Sequence, residues 1–331
     1  MKRASIILAA AFVLLFSVAA PVSQALAAGQ FFRFLYPSFG GTWAAPWIAK
    51  EAGYFAAEGL EIELVRVGGS TRIVAAMLGG SAPMIHAGAS AALAATAAGS
   101  DTVLIAAVSN VSSFHVMARP EIRQPSDLRG KTAGISAFGS SSDFVVRLAL
   151  KKFGLEPGRD VAIIPMGGQP EGFAALQAGS VHLLGMTFPL YLSAARLGFK
   201  ELIKVSDLGF EDVTGGVITT RSFIARERDT ALRFMKAFIR GVHRYKTDRE
   251  FSKRVFAKYG KITDQDLLEG TWREYAPVLQ RVPRPSVKGL QFLIETQFKD
   301  KGPLPKPESF VDNSLIDQLE KSGFIDSVYR Q

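Results

Sequence analysis

The sequence predicts an α/β protein of two lobes, followed by a C-terminal segment that is helical throughout. Three observations lead there. Short apolar or alternating runs bounded by Gly, Pro, Ser or Asp alternate with alanine- and leucine-rich helical patterns from Phe31 to about Phe223. That alternation occurs in two halves, one from Phe31 to about Met117 and one from Arg119-Pro120 to near Gly215-Gly216. Beyond Arg226 only helical spacing remains, with Ala231, Phe234, Met235, Phe238, Val242 and Tyr245 three and four residues apart.

Taken in order, the first element is a leader. Lys2 and Arg3 precede an apolar run from Ala4 to about Ala20, then Pro21 and the small-residue site Ala25-Leu26-Ala27. This is the layout of a secretory signal peptide, expected over residues 1–27, and the run is short for a membrane span. Strands are predicted at Phe31–Tyr36, Glu61–Val67, Met84–Ala87, Thr102–Ser109, Lys131–Ile135, Val161–Pro165, Val181–Met186 and Leu202–Val205. Helices are predicted at Ile73–Leu78, Ser90–Ala98, Ser142–Phe153, Gly172–Ala178 and Leu190–Leu197, each closed by a glycine within a residue or so of its end. Repeated strand-helix-strand units argue for mostly parallel sheets covered on both faces.

Composition removes several function classes. Of 331 residues, none is cysteine, so disulfides, thiol nucleophiles and cysteine-held metals are excluded. Only four histidines are present, and His86, His115, His182 and His243 lack metal-ligand spacing, so no metal and no cofactor is expected. The net charge of +9 is concentrated between residues 226 and 288, where it reads as a solvated helix face, and nucleic acid is not an expected partner. Gly130-Lys131-Thr132 looks like the end of a phosphate-binding loop, but Pro125 stands where that motif requires glycine. Gly88-Ala89-Ser90 likewise lacks the closing glycine of a nucleophile elbow. No catalytic residues are expected.

The remaining loops suit holding a molecule unchanged. A glycine- and hydroxyl-rich loop at a helix N-terminus offers unpaired N–H groups at the positive end of the helix dipole. Gly139 to Ser142 have this character, Ser38 to Thr42 form a counterpart in the other half, and Ser90 opens a third such helix. Aromatic residues crowd the same loops. The expected ligand-binding set is Ser38, Phe39, Thr42, Trp43, Ser90, Asn110, Phe138, Ser140, Ser141, Thr187 and Phe188, suited to a ligand with an apolar or ring body and one polar or anionic end. Arg66, Arg72 and Arg147 flank these loops, and their reach toward a cleft stays open. Trp47, one turn into the helix that Pro46 helps start, is expected in the core.

Pro46, Ala49-Lys50-Glu51-Ala52-Gly53-Tyr54-Phe55 and Glu58-Gly59-Leu60 form one signature; Asp127 to Thr132, Gly154-Leu155, Pro157, Asp160-Val161 and Ala174 to Gly179 form a second. Together they resemble the exported substrate-binding proteins of ABC importers for nitrate, sulfonate, taurine and thiamine precursors. The resemblance implies a type II periplasmic-binding fold, with residues 28–117 and 221–331 in one lobe, 118–220 in the other, and crossovers near 118–121 and 215–220. It implies a periplasmic monomer that passes a small-molecule ligand to an inner-membrane permease and its ATPase. A pyrimidine or thiamine precursor is the alternative ligand, and an enzyme or ligand sensor on the same fold the alternative of another class. Pro83 and His182 replace the Asp of a Gly-x-x-Asp pattern common in the family, a change of packing or turn chemistry that leaves the fold intact.

Overall fold

A computed structural model describes residues 29–299 and 305–330; the expected signal peptide lies outside the described residues. Among the described residues, ten strands form two five-stranded sheets. The first contains β1 (Gln30–Tyr36), β2 (Leu60–Arg66), β3 (Met84–Ala87), β4 (Thr102–Ser109) and β10 (Thr214–Thr220), in the order β2-β1-β3-β10-β4. The second contains β5 (His115–Ala118), β6 (Thr132–Ile135), β7 (Ala162–Pro165), β8 (Leu183–Met186) and β9 (Lys200–Lys204), in the order β7-β6-β8-β5-β9. The architecture is a two-lobe α/β fold with helices packed on both sheets.

The eight predicted strands occur within a few residues of their expected bounds, and two more join them. Both additions run antiparallel to their neighbours, β10 between β3 and β4 and β5 between β8 and β9, so each sheet is mixed. They also move the crossovers. Because β5 already pairs in the second sheet and β10 already pairs in the first, the chain changes sheets at 110–114 and 209–213. These positions precede the expected 118–121 and 215–220.

The parallel strands deliver helices from their C-terminal ends: Ser70–Leu78 after β2, Ala89–Ala97 after β3, Ser141–Lys152 after β6 and Gln169–Ala178 after β7. Beyond β10 the chain is helical. The Arg228–Thr247 helix buries Ala231, Phe234, Met235, Phe238, Val242 and Tyr245, as their spacing requires, against the Ala45–Glu51 helix. Gly241 makes that packing possible, since a β-carbon there would stand 2.7 Å from the Ala45 carbonyl oxygen. Its basic residues are less free than a solvated face implies: Arg233 pairs with Asp229, Arg240 with Glu58 and Arg244 with Asp248. Trp47 is fully buried and stacks on Tyr259. His182 packs against β6, its Nδ1 lying 3.0 Å from Thr132 Oγ1. No described helix is long and apolar enough to cross a membrane.

Candidate ligand-binding cleft

The N-termini of the helices after β2, β6 and β7 meet between the lobes, at the carboxyl ends of parallel strands, where open α/β sheets bind ligands. They enclose a cavity of about 20 Å³ lined by Pro37, Ser38, Trp43, Gly69, Ser70, Phe114, Ser136, Ser140, Ser141, Ser142 and Gln169. The helix after β3 abuts it: the Gly88 N–H donates to Ser70 Oγ at 3.1 Å, and a β-carbon on Gly88 would lie 1.7 Å from Ser141 Oγ. Short polar side chains dominate here because the two backbones approach too closely for larger ones.

No ionisable side chain lines this cavity, so its electrostatics come from helix termini and neutral donors. Gln169 Oε1 accepts from both the backbone N–H and the hydroxyl of Thr187, at 2.9 and 3.0 Å. Its acceptor end is thereby occupied, and the amide nitrogen retains its two donors. Ser142 Oγ accepts from the Ser136 N–H at 2.8 Å and donates to Ser136 Oγ at 3.1 Å, tying the loop before the helix into one network. Trp43 Nε1 and Ser90 Oγ are buried without a hydrogen-bond partner, a costly state unless a bound acceptor satisfies them. The Trp43 indole meets His86 edge-on, with ring centroids 5.0 Å apart. His86 is fully buried and donates from Nε2 to the Gly215 carbonyl at 2.9 Å. Burial lowers its pKa to about 4, so it is a neutral prop behind the indole.

The expected site residues divide into three groups. Ser38, Trp43, Ser140 and Ser141 line the cavity. Thr42, Phe39, Ser90 and Thr187 stand behind it: Thr42 Oγ1 lies 3.0 Å from Ser113 Oγ, Phe39 lies under the Arg66 guanidinium, and Thr187 orients Gln169. Asn110, Phe138 and Phe188 do not line the cavity. Asn110 holds the first crossover, donating to the Arg284 carbonyl and accepting from the Ser286 N–H. Phe138 is 53% exposed and faces a separate groove of about 820 Å³ beside the Ser141–Lys152 helix, where Arg147 also lies. Phe188 is buried against Tyr191, and its carbonyl accepts from the Tyr275 hydroxyl.

The expected set lacked Pro37, Gly69, Ser70, Phe114, Ser136, Ser142 and Gln169, although Ser142 belongs to the loop that the sequence singles out. A signal existed for Ser70 and Gln169, because Gly68-Gly69-Ser70 and Gly167-Gly168-Gln169 repeat the glycine-then-polar pattern at a strand's end. Among the described residues, no group of three or more His, Cys, Asp or Glu could hold a metal ion.

The lobes are drawn together over this cavity. Arg66 Nη2 lies 3.2 Å from Glu171 Oε1, Thr71 donates to the Phe138 carbonyl at 2.9 Å, and Arg196 pairs with Asp264 at 2.6 Å. Each contact joins a residue attached to the first sheet with one attached to the second.

The fold is the two-lobe type II periplasmic-binding arrangement. A protein from Bordetella bronchiseptica RB50 superposes with a TM-score of 0.77 at 19% identity, over 90% of this chain and 98% of that one. The alkanesulfonate-binding protein SsuA from Xanthomonas axonopodis pv. citri, bound to MOPS, gives 0.70 at 19% identity over 88% and 97%. A DszB variant in complex with biphenyl-2-sulfinic acid gives 0.63 at 14% identity over 88% and 99%. In sequence, YtlA of Bacillus subtilis, named as a binding protein, is 23% identical over 279 residues, 80% of this chain and 81% of its own. Residues 43–249 match the NMT1/THI5-like family, and the chain belongs to that family.

Proposed function

We propose that this chain is the exported substrate-binding component of an ABC importer, which takes up one small organic molecule between its lobes and delivers it unchanged to a permease. The observation that carries this reading is an interlobe cavity walled by neutral donors at helix N-termini and by Trp43, whose buried Nε1 has no hydrogen-bond partner. Such a wall suits an anionic oxygen-rich end, a sulfonate or carboxylate, while Trp43 and Phe114 suit an apolar or ring body. The structural relatives holding MOPS and biphenyl-2-sulfinic acid support that ligand shape. A bare inorganic ion leaves the aromatic wall without a partner and ranks lower. The cavity lining holds no His, Lys, Asp or Glu to serve as nucleophile or base, which favours carriage over turnover.

Thermal-shift screening of the mature protein over sulfonates, carboxylates, nitrate and pyrimidines tests the reading, since a ligand of the folded state raises the melting temperature by mass action. A sulfonate or carboxylate hit recovered unchanged is expected. A pyrimidine hit replaces the ligand class, and consumption of the hit replaces carriage with catalysis. N-terminal sequencing of the exported product is expected to begin at or near Ala28.

A further inference from the structure

Behind Gln169, hydroxyl groups from four separate parts of the chain meet. Thr42 belongs to the Gly41–Trp43 turn, Ser113 to the first crossover, Thr187 follows β8, and Tyr275 closes the Gln265–Tyr275 helix. Thr42 Oγ1 lies 3.0 Å from Ser113 Oγ, and the Tyr275 hydroxyl bonds with those of Thr42, Ser113 and Thr187. It also donates to the Phe188 carbonyl at 3.3 Å. Burial raises the pKa of the phenol, so it keeps the proton it donates.

The helix that carries Tyr275 packs on the Arg249–Gly260 helix and on the Gly41–Trp43 turn. It also lies against the second lobe: Asp264, its N-cap, pairs with Arg196, and a β-carbon on Gly270 would stand 2.5 Å from Phe188 Cζ. The Tyr275 ring fills the space a side chain on Gly41 would need, its Cδ2 lying 2.1 Å from that β-carbon position. One phenol thus touches both the turn that presents Trp43 and the Thr187-Phe188 dipeptide that holds Gln169. Tyr275 itself does not line the cavity.

The bonds run in one direction. A glutamine amide can present either its oxygen or its nitrogen, and its partners decide which. A backbone N–H can only donate, so the Thr187 N–H, at 2.9 Å, fixes the oxygen of Gln169 on its side. The Thr187 hydroxyl gives its single hydrogen to the same oxygen at 3.0 Å. Toward Tyr275 it can therefore only accept, which makes Tyr275 the donor. Without that donor, nothing from the first lobe holds the Thr187 hydrogen on Gln169.

We propose that Tyr275 is a positioning residue of the cleft: its hydroxyl, acting through Thr187, holds Gln169 with its N–H groups toward the ligand and so selects an acceptor-bearing, anionic end over a donor-bearing one. The proposal rests on the reading of the inner cavity as an organic-anion site. Because the phenol comes from the first lobe and Gln169 from the second, this selection is complete only when the lobes are together.

The test is calorimetric titration of the mature protein with benzenesulfonate and benzenesulfonamide, which share a shape and differ in replacing an anionic oxygen by a donor NH2. The unmodified protein is expected to prefer benzenesulfonate. Tyr275→Phe is expected to weaken benzenesulfonate about tenfold and to change benzenesulfonamide little. In a Gln169→Leu background the same substitution is expected to have no further effect, because the group it acts through is gone. Thr187→Val removes the intermediate hydroxyl and is expected to reproduce the Tyr275→Phe result, which keeps the test open if Tyr275→Phe does not fold. If the effects at 275 and 169 simply add, or if Tyr275→Phe weakens both probes equally, Tyr275 has a structural role alone and the inner site stands. If benzenesulfonate does not bind the unmodified protein, the organic-anion reading of the cavity falls, and the role of Tyr275 with it.

Discussion

Gly68 and Gly167 meet backbone to backbone across the cleft: a β-carbon on Gly68 would stand 2.1 Å from the Gly167 carbonyl oxygen. No side chain of any size fits between them, so the lobes are as near at this point as main chains allow. Gly68→Ala is therefore expected to hold the cleft ajar. Ligand affinity should fall tenfold or more, while the melting temperature of the ligand-free protein moves little. Titration calorimetry together with small-angle scattering of the ligand-saturated protein checks this, and an unchanged affinity with an unchanged closed radius would refute it.

Trp43→Phe separates the indole's N–H from its bulk. The ring keeps its edge contact with His86, whereas the buried donor at Nε1 disappears. Affinity for an anionic ligand is expected to weaken by about 1–3 kcal/mol, with a smaller effect on stability because a donor without a partner is removed. Ser141→Ala should likewise act mainly on binding. Ser140→Ala should also cost about 1 kcal/mol of stability, since Ser140 caps the Ser141–Lys152 helix by accepting from the Asp143 N–H. Paired urea titrations and calorimetry distinguish the two serines, and equal stability losses would contradict the assignment.

His86 sets an acid limit on the fold. Its pKa drops from 6.5 to about 4 on burial, so between those values the unfolded chain takes up a proton that the folded chain refuses. Stability from this group is thus full above about pH 6.5 and declines as pH falls toward about 4, by roughly 3 kcal/mol in all. Urea midpoints from pH 7 to pH 4.5 should fall with pH, and His86→Gln should show a flatter profile. Equal slopes in the two proteins would assign the effect to another group. Asp101 and Asp160, whose carboxyls are held below their ordinary range by hydrogen bonds from backbone N–H groups, act at still lower pH.

How far the structure could be read in advance depended on local punctuation. Eight strands were legible because each is an apolar run between glycine, proline or small polar residues. β5 was not, since His115–Ala118 abuts Arg119-Pro120, which reads as the opening of the next half. β10 was not, because Gly215-Gly216 at its start reads as a turn; its close neighbours Leu104 and Val108 leave no room there for side chains. At the cleft, Ser38, Trp43, Ser140 and Ser141 were visible as loop residues at strand ends. Phe138 and Ser140 share the outer groove across Gly139, whose φ is +74°, but only Ser140 also reaches the inner cavity. The orientation of Gln169 was not legible, because it rests on Thr187, eighteen residues away.

The second sheet leaves and re-enters the first at adjacent strands. Ser109 of β4 lies opposite Thr214 of β10, and just beyond them the Asp212 N–H donates to the Asn110 carbonyl at 3.0 Å. The two passages therefore form a bonded two-ply strap, with Asn110 riveted to the Arg284–Ser286 loop. A strap of this kind swings like a door on its jamb and resists swivelling, unlike a single-chain tether, which lets the suspended part tumble. Tumbling freedom that never existed need not be surrendered on capture, so more of the contact energy a ligand gains between the lobes remains as affinity than a single-chain tether would leave.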